Sequence, residues 1–247
     1  MYKKILIITV LLIALTITSL FAGKSLERIA NEKGVEAETL YNDKEFVKAA
    51  QTFEAAITKL EEAVTTDGIP LDNEKISRWL ELAFNGYYQG KEFEDAIMII
   101  DRQLKLDPTN YKCVNYKAII LKKYLKRVDE AIEVLKKYNS TKRSFKVEKK
   151  IASYYQGVED YENAVIWYNK AYEQKKDATV IKNIAAIYLK LGKNNEAITA
   201  YEDFIKTKPN ESVLAKTYMN LGKLYEDMKN NSKSIENYEK SLKLKYS

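Results

Sequence analysis

Residues 181–209 read IKNIAAIYLKLGKNNEAITAYEDFIKTKP, and this stretch decides the fold. Ile181, Ile184, Ala185 and Tyr188 recur three or four residues apart, as on one face of a helix. Leu191-Gly192-Lys193-Asn194 is a polar turn, after which Ala197 and Tyr201 resume the period. Lys208-Pro209 ends it, because proline cannot continue a helix. The product is a helical hairpin.

Moving outward, anchors comparable to Ala197 occur at Ala49, Ala96, Ala131, Ala164 and Ser234, in steps of 47, 35, 33, 33 and 37 residues. A period near 34 indicates stacked helix pairs, each unable to bury its apolar face without a neighbour. Alternating β-branched runs bounded by turn pairs are missing, so the chain reads as all-α. Six units fall near 30–63, 76–109, 111–143, 145–177, 178–211 and 215–247. Small residues (Ala37, Ala83, Ala118, Ala152, Ala185, Gly222) let paired helices approach, and Phe53, Trp79, Tyr168, Tyr201 and Tyr238 fill the space beside them. The second and third units carry 13 rather than 12 residues between their small and alanine anchors. Val64 to Lys75, with Gly68 and Pro70, breaks the first unit from the second, either as a hinge or by lengthening a helix.

These residues resemble the tetratricopeptide repeat family. Its pattern is a bulky residue, Leu-Gly or Leu-Ala, then Tyr in the first helix, with Ala, an aromatic and a closing Pro in the second. The last unit reads Tyr218, Leu221-Gly222, Tyr225, Ser234, Tyr238; the fifth reads Ile181, Ile184-Ala185, Tyr188, Gly192, Ala197, Tyr201, Pro209. The fourth has Ile151-Ala152, Tyr155, Ala164 and Tyr168, and the second Trp79, Leu82-Ala83, Ala96 and Pro108. The resemblance implies a right-handed superhelical solenoid of about six hairpins whose first helices line a concave face. It places a partner-binding groove at Leu80, Phe84, Tyr88, Asn115, Lys122, Lys146, Lys149, Lys182, Asn183, Lys190, Lys216 and Lys223. The implied ligand is a protein or peptide.

Residues 1–23 hold Lys3 and Lys4 followed by an uncharged run from Ile5 to Gly23. That is the pattern of a signal peptide or signal anchor, with the solenoid occupying 24–247 and exported to the periplasm or envelope. Membrane contact is expected only through an uncleaved N-terminal segment.

Histidine is absent, which excludes Ser-His-Asp and Cys-His catalysis and removes the commonest metal ligand. Cys113 is the only thiol, so no intramolecular disulfide or cysteine cluster can form, and it reads as a packing residue. Acidic residues such as Asp95, Glu130, Glu162 and Glu196 sit at helix starts, without a convergent catalytic pair. No catalytic residue, cofactor or metal site is expected, and no nucleic-acid module is present.

Charge is unevenly spread. Lys24 to Asn110 holds 11 basic and 18 acidic residues, and Tyr111 to Ser247 holds 28 and 17. The asymmetry points to an acidic partner surface, or to head-to-tail contacts between copies. The expected function is a non-enzymatic scaffold binding a protein or peptide in its groove within a cell-envelope assembly. Its rival is a self-associating repeat protein joined through its charge-asymmetric ends. The lysines also read as a solvated face.

Overall fold

The computed structural model describes residues 25–67 and 69–245; the expected leader therefore lies outside the described residues. Among the described residues the regular structure is helical, with no strand and no helix long and apolar enough to cross a membrane. The chain divides after Arg127 into two compact units.

Unit 1 contains a helix over residues 25–42 (α1), α2 (Phe46–Asp67), α3 (Asn73–Gly90), α4 (Phe93–Leu106) and α5 (Tyr111–Ile119), the last continued by a π-helical turn at Ile120–Tyr124. Unit 2 contains α6 (Val128–Thr141), α7 (Phe145–Gly157), α8 (Tyr161–Gln174), α9 (Ala178–Lys190), α10 (Asn194–Lys206), α11 (Glu211–Asp227) and α12 (Asn231–Lys245). Successive helices pack on one another from α2 to α5 in unit 1 and from α6 to α12 in unit 2. The break between the first two hairpins takes the second form expected: α2 is lengthened to 22 residues and a short connection leads to α3.

Helix starts are capped by short polar side chains. Asp72, Asn110, Asp160, Asp177 and Asn210 accept from backbone N–H groups in the first turns of α3, α5, α8, α9 and α11. Within every hairpin, one left-handed residue lies five positions before the alanine anchor: Lys44, Lys91, Lys126, Glu159, Gly192 and Lys229. The next residue donates back to the helix just ended, at five-residue separation: Glu45 to Leu40, Glu92 to Tyr87, Asp160 to Tyr155, Lys193 to Tyr188 and Asn230 to Tyr225. In the third hairpin this bond runs from Arg127 to Leu121, one residue longer. The π turn therefore houses the extra residue of that unit.

The same bonds correct the register of the second hairpin. Its closing carbonyl is Tyr87, so no residue is inserted there, and Phe84 occupies the place of Ala118, Ala152 and Ala185. The sequence alignment on Ala83 is one residue out. In unit 2 the core runs through Ala152, Tyr168, Ile184 and Phe204, then through Ala197, Tyr201 and Leu221. Gly222 is required by close approach: a Cβ there would stand 2.6 Å from Tyr238 Cδ1.

Candidate functional site

The first helices, α3 and α5 with its π turn in unit 1 and α7, α9 and α11 in unit 2, carry the residues assigned to the groove. Leu80 and Phe84 prove to be core residues, 1% and 5% exposed, as the register correction requires. Phe84 packs against Tyr116 and Tyr88 with ring centroids 5.1 and 5.7 Å apart. Tyr88 is half-buried, its hydroxyl 3.2 Å from that of Tyr124. That contact and burial push its pKa up to about 12. Asn115 and Lys122 are half-buried, and burial pushes the Lys122 ammonium below the ordinary lysine range.

In unit 2 Lys146, Lys182, Lys216 and Lys223 are exposed and form no ion pair with any described residue. Lys149 lies 5.5 Å from the Phe145 ring centroid. Lys190 donates to the Tyr161 hydroxyl at 3.1 Å, which raises its pKa. Asn183 is tied inward instead, donating to the Tyr168 hydroxyl at 3.0 Å, which donates to Gln156.

Nothing acidic on the exposed faces of α7 and α9 offsets these charges. α9 contains no carboxylate. The only one on α7, Glu148, is 1% exposed. It accepts from Arg143 Nε at 2.8 Å, from Asn139 and from Gln174, so it locks the α6–α7 turn onto α8. By contrast, Lys136, Lys206 and Lys240 on second helices each have a carboxylate partner three or four residues away.

Equivalent positions in the two units differ in a telling way. In unit 1 neighbouring first helices are bridged by ion pairs: Arg78 to Glu38 at 2.9 Å and Lys112 to Glu81 at 2.6 Å. Counted back from the closing carbonyl, Lys216 on α11 stands where Lys112 does, and Lys182 on α9 stands where Glu81 does. Where unit 1 supplies its own counter-charge, unit 2 presents two cations. The sequence showed the lysines; it did not show which of them lack partners, because that depends on carboxylates contributed by neighbouring helices.

The geometry defines stacked helix pairs whose first helices in unit 2 carry exposed lysines without an ion-pair partner among the described residues. The family model of the tetratricopeptide repeat matches residues 150–177, 183–211 and 215–247. Those three stretches of unit 2 are tetratricopeptide repeats, the class of helix pair that serves protein–protein interaction. Among curated proteins the chain is similar to heat shock protein STI1 of Saccharomyces cerevisiae (strain ATCC 204508 / S288c), at 31% identity over 86 residues. That match covers 33% of this chain and spans 15% of the relative's length. Two crystal structures of MamA share the fold. One has a TM-score of 0.52 at 20% identity, covering 69% of this chain and 92% of that one. The other has 0.50 at 21%, covering 66% and 94%.

Proposed function

We propose that this protein is a non-enzymatic scaffold that binds an acidic segment of a partner protein along the first helices of unit 2. The observation that carries the reading is the replacement of the Lys112–Glu81 pair by Lys216 and Lys182. Two like charges on adjacent helices repel until a carboxylate supplied from outside sits between them. Exposed Leu189 and Met219, on α9 and α11, give the same helices apolar footholds. The uncharged run at 5–23 supports an exported protein working in an envelope assembly.

The test is titration of a glutamate-rich peptide against the chain and a Lys149→Glu, Lys182→Glu, Lys216→Glu variant at several salt concentrations. Affinity is expected to fall at least tenfold in the variant and to weaken with salt. Equal binding by both proteins overturns the reading.

A second reading, self-association, is favoured by α12. Val165 on α8 and Ile198 on α10, each one residue after an anchor, are both 9% exposed; Ile235, the same position on α12, is 58% exposed. Light scattering across concentration decides this reading, and a monomer throughout removes it.

A further inference from the structure

Where two successive second helices flank the first helix between them, unit 2 forms a groove, and it does so twice. The groove among α8, α9 and α10 encloses about 340 Å³, with Ile181, Ile184 and Tyr188 as its floor and Glu196 and Asp203 on its α10 wall. The groove among α10, α11 and α12 encloses about 380 Å³ and repeats it, with Tyr225 in the place of Tyr188, and Lys233 and Lys240 in the places of Glu196 and Asp203.

The second groove holds the chain's own cations. Lys233 Nζ lies 5.1 Å from the Tyr225 ring centroid and Lys240 Nζ 5.6 Å from that of Tyr218. A groove of this shape can therefore seat an ammonium group over an aromatic floor. The first groove has the ring and the counter-charges but no lysine of its own on α10's wall. The Glu196 carboxylate has no hydrogen bond or ion pair with any described residue. Among the described residues Asp203 pairs only with Lys206, three residues on, in an exposed contact that another cation readily replaces. Tyr172, which lines the same groove, has a buried hydroxyl without a hydrogen-bond partner among the described residues. A buried hydroxyl left unpaired is costly, and here it offers an acceptor. Lys176 covers the Tyr172 ring at 4.2 Å, a contact that leaves the hydroxyl unpaired.

We infer that the groove between α8 and α10 docks a lysine or arginine side chain presented by a basic segment of a partner protein. The methylene stem lies on Ile181 and Ile184, and the charged head between Glu196 and Asp203. The volume is near the lower end of the roughly 300–1,000 Å³ of small-ligand pockets, room enough for one long side chain.

The probe is a fluorescein-labelled decapeptide of alternating arginine and serine, titrated against the full chain by anisotropy at low ionic strength. The isosteric Glu196→Gln, Asp203→Asn variant is expected to bind at least fivefold more weakly. A control with the same charge change elsewhere, Glu162→Gln, Glu239→Gln, keeps the native affinity. Ala200→Lys, which places a cation in the groove wall, is expected to compete and lower affinity as well, an independent readout should the double variant lose helical structure. The Lys149→Glu, Lys182→Glu, Lys216→Glu variant is not weakened, which separates this surface from the first-helix row. Equal losses in the groove and control variants, or a loss in neither, overturn the proposal.

Discussion

At the scale of single residues, the turn inside each hairpin demands a left-handed backbone, and only one of the six positions holds the residue suited to it. Gly192 has φ of +70°, and a Cβ there would meet nothing within 4 Å, so its role is conformational. Lys44, Lys91, Lys126, Glu159 and Lys229 adopt the same region with a side chain attached, at a cost of about 1 kcal/mol each. Gly192→Ala is accordingly expected to destabilise the chain by about 1 kcal/mol and Lys229→Gly to stabilise it by roughly 0.5 kcal/mol, read by urea denaturation. The opposite signs would mean that contacts made by the turn side chains outweigh the backbone term.

At the scale of elements, α12 is the helix held by the least apolar burial in unit 2. Its buried side chains are Ser234 and Asn237, where α10 buries Ala197, Ile198, Tyr201 and Phe204. Leu242 is 54% exposed beside Ile235. Amides of α12 are expected to exchange with solvent before those of α8 and α10 under native conditions, and slower exchange there would point to a cover such as a second copy. The same comparison shows what the residues alone could convey. Hairpins four to six were legible because small, aromatic and alanine positions all agree. Hairpin two misled because Ala83 and Phe84 are both buried and only the closing bond from Glu92 to Tyr87 tells them apart. Lys182 and Lys216 could be named from repeat position, whereas the paired state of Lys112 needed Glu81 from another helix. The outer groove had no signature, since Glu196 reads as a helix-starting acid until Ile181 and Tyr172 are seen beside it.

At the scale of the whole molecule, titration is confined to the extremes. There is no histidine, and burial pushes the Cys113 thiol up. Side-chain ionisation therefore leaves folding stability flat from about pH 6 to 9. Tyr87 is raised by burial and by its bond to Glu54, and burial also raises Tyr168 and Tyr201. A folded pKa above the unfolded one favours the folded state below the ordinary tyrosine value near 10. That contribution is lost as pH climbs through the raised values. Thermal midpoints should hold level and then drop above about pH 10, and a drop already at pH 8 would contradict these assignments. The π turn at Ile120–Tyr124 has a last consequence, for heredity. A surplus codon in that repeat is spent within the hairpin, since the next hairpin closes from Asp160 to Tyr155 at the usual separation. That hairpin takes up one residue at the end of its first helix, and the register of the hairpin that follows is set by its own closing bond.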